Sequence, residues 1–179
     1  MPQNSTQPTA EDLLRGKELA IGQISWMRGY TLQLLESVPH ELWYQVPTGC
    51  QTHIAWQVGH LAVAQYGLMM FRQRGREPDD LELIPSWLRK QFGKGSVPSQ
   101  ISPDVASPVE LLDRLAAVHS ASLEIAANQS VEQLAEPIEA PYAVYANKLG
   151  ALLFCPLHEG IHAGQIGFLR RQHGLAPVR

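Results

Sequence analysis

The chain has 179 residues, a formal net charge of −3, 45% hydrophobic residues and 17% charged ones. It is long enough to bury a substantial core in one domain and too apolar to be a disordered chain. The acidic balance gives no electrostatic footprint for nucleic acid, and no apolar run approaches the ~18 residues of a membrane helix.

The first stretch, MPQNSTQPTAEDLL, is polar and lacks the apolar segment of a signal peptide, so a cytoplasmic protein is expected. The chain's two cysteines, Cys50 and Cys155, are too few for a disulfide framework and should stay reduced in the cytoplasm. Residues 1–8 read as a disordered lead and 9–179 as a single domain. The first helix opens at Thr9, where Thr9 and Asp12 have the spacing of a capping box. Leu13, Ala20, Ile24, Met27, Thr31 and Leu34 recur at helical spacing, and Pro39 ends the run. Residues 38–51, with two prolines, form a connector with room for one helical turn. A second helix is expected from about Thr52 to Arg74, with Gly75 as terminator.

Residues 76–107 are rich in Pro, Gly and Ser and read as a long crossover with one short helix over Pro85–Phe92. A loop of that length inside a compact domain is usually functional or packed over something. The third helix begins at Ser107, with Pro108 in its first turn and Glu110 placed to reach back to the cap. Its inner stripe is Leu112, Leu115, His119, Ser122 and Ala126. A second irregular stretch covers 128–146, with a weak strand signal at Tyr142–Tyr145. The fourth helix carries CPLHEGIHAGQIGFLRRQHG, residues 155–174, and ends at Gly174 with Pro177 beyond. Four long helices with one long connection predict an all-α four-helix bundle.

The fourth helix contains H-E-x-x-H: His158, Glu159 and His162. That is the spacing of a zinc peptidase, in which two histidines one turn apart bind the ion and the glutamate is the base. The continuation needed for a third ligand is missing. Gln165 and Phe168 stand where one peptidase class has Gly and His, and no acidic residue follows Glu159. His173 lies roughly 16 Å farther along an ideal helix, too far to share an ion with His162. The peptidase reading fails, but the His pair still faces one side of its helix. On spacing alone it is a metal half-site, a solvated pair or a packed polar patch. A third ligand would have to come from upstream. His60, preceded by Gly59, sits mid-helix in the second element; His53 and His119 read better as satisfied core residues.

Two stretches together carry a resemblance: W-Q-V-G-H-L around His60, and H-E-x-x-H-x-G-Q-I-x-x-L-R-R-x-x-G from His158 to Gly174. With the long crossover between them, the chain resembles the DinB-like family over about residues 9–175. The resemblance implies a four-helix bundle with one divalent metal held by His60, His158 and His162. Zinc or nickel is the expected ion, with iron also admitted. Pro156, two residues before His158, departs from the pattern and should kink or restart the helix there.

Three neutral imidazoles would leave an ion its full charge and an open position, as catalytic sites do. Glu159 points about 100° around the helix from His158 and is expected to orient a ligand, with a base or a surface ion pair as alternatives. Gln165 could polarise a substrate or make an interhelical hydrogen bond. Trp26, Tyr30 and Trp56 are candidate pocket walls, with core packing as their other role. Arg170 and Arg171 are expected to meet a loop carboxylate or solvent. Cys155, one turn before His158, reads as a packed core thiol, and Cys50 as a connector residue. By resemblance the function is thiol-dependent transfer, a small thiol being added to an electrophile. The alternatives are a metal-dependent hydrolase and a non-catalytic metal- or ligand-binding stress-response protein. The expected partners are a small-molecule substrate, including a low-molecular-weight thiol, and a second copy in a homodimer, with no nucleic acid and no membrane.

Overall fold

Thr9 and Asp12 close a reciprocal capping box at the start of α1 (Ala10–Glu36), the Thr9 hydroxyl accepting from the Asp12 N–H and the Asp12 carboxylate from the Thr9 N–H. The computed structural model describes residues 8–178, so the lead expected over 1–8 lies, except for Pro8, outside the described residues. α1 buries Leu13, Ala20, Ile24, Thr31 and Leu34 as its spacing predicts. Met27 is only half-buried, and Arg28 takes a buried position on the inner face. One 3-10 turn, His40–Leu42, occupies the connector, and Trp43 behind it is almost fully buried.

α2 (Ile54–Tyr66) starts two residues later than expected because His53 is its cap. The His53 Nδ1 accepts from the Trp56 N–H, and its Nε2–H donates to the Pro98 carbonyl. His53 is thus a satisfied buried residue, at the helix end rather than on its face. The helix continues through a π-helical turn, Gly67–Phe71, into α3 (Arg72–Arg74). Gly75, at φ +85°, then turns the chain, a conformation that L side chains rarely adopt.

The 76–107 segment is more ordered than its composition suggests. It holds α4 (Asp80–Leu83), α5 (Ser86–Phe92) and two 3-10 turns. Asp80 staples it to α3, accepting from Arg74, the Tyr66 hydroxyl and the Glu77 N–H. The Arg74 hydrogen bond leads in pulling the Asp80 carboxyl down to about 2. α6 (Pro108–Ala127) is capped by the Ser107 hydroxyl, but the side chain of Glu110 does not reach back to the cap; it pairs with Arg114 instead. α7 (Val131–Ala135) lies where only irregular chain was expected, fixed by a Ser130/Gln133 capping box. The strand signal at 142–145 gives no strand among the described residues. Val144, at φ +66°, breaks the extended run, and one isolated bridge, Pro137 to Asn147, closes the loop.

α8 (Lys148–Gln172) is capped by the Asn147 side chain and runs through Pro156 without restarting. The restart expected at Pro156 does not occur: the helix has already begun two turns earlier, so the proline removes one internal donor and the rest of the ladder carries on. Gly150 is required here, since a Cβ would lie 1.8 Å from the Tyr145 carbonyl oxygen.

Residue contacts set the helix directions. Gly16 packs on Leu149, Gly160 beside Met27 and Gly167 beside Leu34, so α1 and α8 run parallel. Gln57 meets His162 while Gln73 meets Lys148, so α2 and its continuation oppose α8. Lys17 meets Ala127 while Arg28 meets Leu115, so α6 opposes α1 and runs parallel with α2. Parallel neighbours cannot be joined by a short turn, and the 76–107 segment supplies the return. Apolar side chains fill two clusters, one around α2, α5 and α6 and one around the first halves of α1 and α8.

Candidate metal centre

The site forms where α2 faces α8. His60 follows Gly59, and a Cβ on Gly59 would sit 2.5 Å from the Phe92 ring. The missing side chain lets α5 press against α2, which brings the Phe92 carbonyl to 2.8 Å from the His60 Nδ1. A carbonyl only accepts, so Nδ1 carries the proton and Nε2 keeps its lone pair. The Trp56 indole stacks on the His60 ring at 4.6 Å and 9°, and its Nε1–H donates to the Ser96 hydroxyl.

His158 and His162 project from successive turns of α8. The His162 Nδ1–H donates to the Gln57 Oε1 at 2.6 Å, and the Gln57 amide donates in turn to the Thr52 hydroxyl. His162, like His60, is therefore oriented with its Nε2 free. The Nε2 atoms of His158 and His162 are 3.3 Å apart. Two nitrogens bound at about 2.05 Å in tetrahedral geometry would be about 3.3 Å apart, so this pair already has the spacing of two ligands. One ligand atom from each of the three histidines lies within 4.8 Å of the others. His162 is buried, while His60 and His158 are half-buried.

Burial lowers all three imidazoles, His162 to about 3 and His158 to about 4; repulsion from neighbouring imidazolium charge adds to it at those two, while the Phe92 carbonyl opposes it at His60. Gln165, exposed on α8, offsets part of the effect on His162 by hydrogen bonding. Neutral histidines are the ligand form, so the cluster has donor chemistry suited to a divalent transition metal.

Glu159 turns away from the cluster. It is 1% exposed and forms a bidentate ion pair with Arg28, Nε to Oε1 at 2.8 Å and Nη2 to Oε2 at 2.9 Å. The same guanidinium donates to Gln65 Oε1 and the Leu115 carbonyl. The Gln65 amide continues to the Nδ1 of His119, which is satisfied as expected of a core histidine. Arg28 carried a readable signal: a charged residue four positions after Ile24 in the apolar stripe of α1. Gln57 and Phe154, whose ring lies 5.9 Å from His158, carried none.

Trp26 and Tyr30 stack on each other at 5.9 Å. Trp26 is 69% exposed and lines an outer groove of 470 Å³ with Leu19, Gly22, Met27, Pro156 and Leu157; none of the three histidines lines it. Of the three expected pocket walls, Trp56 is the one whose ring meets the imidazoles. Cys155 is buried in the core, where burial pushes its thiol far up, and Cys50 lies half-buried in the connector. Arg170 meets neither loop carboxylate nor solvent. It is buried against the end of α1, donating to the Leu34 carbonyl and the Ser37 hydroxyl, where the helix presents unpaired acceptors. Arg171 is exposed, as expected.

A family model described as the DinB superfamily matches residues 23–166. The matched span includes all three histidines, the whole of α2, and α8 as far as Ile166. No curated protein matches the chain.

Proposed function

The chain belongs to the DinB superfamily, and from that membership and its three-histidine cluster we propose a metal-dependent enzyme that transfers a small thiol to an electrophile. His60, His158 and His162 would hold one divalent ion, zinc or nickel first and iron next. The observation that carries this reading is the arrangement of His60 and His162, each donating from Nδ1 to a fixed oxygen and so keeping the Nε2 lone pair, within a cluster whose ligand atoms lie within 4.8 Å of one another. When bound, such an ion supplies positive charge that favours the thiolate over the thiol.

The chain's own residues supply the rest. Trp56 would wall the mouth beside His60, and Gln165, exposed near His162, would donate to a polar group of the electrophile. The thiol proton leaves to solvent, the sulfur lone pair forms the new bond to the electrophilic carbon, and the carbon's π bond opens onto its activating group, which takes up a proton from solvent. A hydrolase using Glu159 as base is less well supported, because both carboxylate oxygens are taken by Arg28. The finer fold we propose is a four-helix bundle of the DinB-like type over 9–179, with 76–107 as its crossover.

The proposed assembly is a homodimer in the cytoplasm. No helix of the described residues is long and apolar enough to cross a membrane. Leu19, Trp26, Leu157, Ile161 and Phe168 stand exposed on the outer face of the α1–α8 pair. Together they offer on the order of 500 Å² of apolar surface, the upper end of what a monomer leaves in one patch and most of a standard interface half.

The test is metal-dependent addition of several cellular thiols to a model electrophile. Purified protein should carry about one ion per chain and accelerate the addition. His60→Ala and His162→Ala should lose both metal and acceleration. No acceleration with any thiol, together with metal-dependent ester hydrolysis, would replace this reading by the hydrolase one.

A further inference from the structure

The two helices that supply the histidines are also joined by a second, metal-free bridge. Gln65, on the α2 that bears His60, accepts from Arg28, and Arg28 grips Glu159, which lies between His158 and His162 on α8. Arg28 is 4% exposed, Glu159 1% and Gln65 0%, so the bridge is dry throughout. We infer that Arg28, Glu159 and Gln65 are positioning residues, which fix the rotation of α8 against α2 and so set the spacing of His60, His158 and His162. The inference rests on the proposed metal site and assigns the glutamate of H-E-x-x-H a role other than base or ligand.

Directionality carries the argument. Apolar contacts between helices tolerate rotation and sliding, because dispersion and burial have no preferred angle. A bidentate guanidinium–carboxylate pair requires both groups to be coplanar and in register. Glu159 is adjacent in sequence to His158, so a rotation of α8 that moved the histidines from α2 would break the pair. The Leu115 carbonyl takes a fourth Arg28 N–H, on Nη1, and anchors the bridge to α6, so the guanidinium cannot follow such a rotation. A buried ion pair replaced by apolar residues of similar volume is often as stable or more so.

That separation of stability from geometry defines the experiment. The double variant Arg28→Met/Glu159→Met should melt near the wild type, whereas its zinc dissociation constant should rise at least 10-fold, as for residues that orient metal ligands. Gln65→Leu keeps the ion pair but unhooks it from α2, and should weaken zinc several-fold. Wild-type zinc affinity in a folded double variant would overturn the inference; if that variant does not fold, wild-type affinity in Gln65→Leu would do so.

A second readout needs no metal. The Nδ1–H protons of His60 and His162 should give slowly exchanging resonances in the metal-free wild type. In the variants these should shift or exchange quickly, and unchanged resonances would count against the bridge. Wild-type protein that binds no metal would remove the proposed function, while these resonances still decide the role of the bridge.

Discussion

His119 shows how one residue ties the buried network to pH. Burial, and then the Arg28 charge, hold its imidazole at about 4 against an ordinary 6.5, with Glu159 opposing weakly. The unfolded chain takes a proton on this residue as pH falls below 6.5, while the folded protein declines it until about 4. The stability His119 contributes is therefore fully present above 6.5 and is lost as pH falls through that window. His119→Gln keeps an acceptor for Gln65 and should remove about one proton from the uptake that accompanies unfolding. The measurement is the slope of stability against pH between 6.5 and 4.5 for metal-free protein, and an identical slope in the variant would contradict the assignment. At this scale the sequence was partly legible. The three histidines stood out through spacing and resemblance, since H-x-x-x-H places two imidazoles on one face. Their partners did not, because the pairing of Gln57 with His162 and of Arg28 with Glu159 depends on how distant helices meet. Periodicity cannot report that.

At the scale of elements, close approach at Gly59 joins helix packing to the site. Gly59→Ala would drive a methyl into the Phe92 ring at 2.5 Å. Overpacking of this kind costs about 1–3 kcal/mol. The displaced Phe92 would also withdraw its carbonyl from His60, so the variant should show a lower melting temperature and weaker metal binding together. Loss of stability with unchanged metal affinity would mean that the carbonyl does not orient the ligand. The helix starts at Thr9 and Ser107 were readable because a cap is a local contract between residues three apart. The same contract at Ser130 and Gln133 is masked in the sequence by the short length of α7. Pro156 misled in the opposite direction, since a helix already two turns long can lose one donor and continue.

For the whole molecule, the parallel pairing of α1 with α8 leaves an outer face on which Trp26 is 69% and Ile161 58% exposed. If that face holds the second copy, Trp26→Lys/Ile161→Lys should give a monomer by sedimentation with metal content unchanged. A wild type that is monomeric at micromolar concentration would remove the dimer. The all-helical class was legible from composition and period. The order of packing was not, because four amphipathic stripes can pair in several ways and only contacts such as Arg28 with Leu115 choose among them.

Three side chains at one end of α2 reach the same return segment: His53 to the Pro98 carbonyl, Trp56 to the Ser96 hydroxyl, and His60 to the Phe92 carbonyl. The segment runs back along the helix like a zipper, with His60, one of the three proposed metal ligands, as its last tooth. Local opening of residues 92–98 would release the His60 ring, so loop closure and ion capture belong to a single thermodynamic linkage. A bound ion should slow amide exchange and proteolytic nicking there while leaving the far ends of α1 and α6 untouched. Conversely, whatever loosens that zipper would set the rate at which the ion escapes.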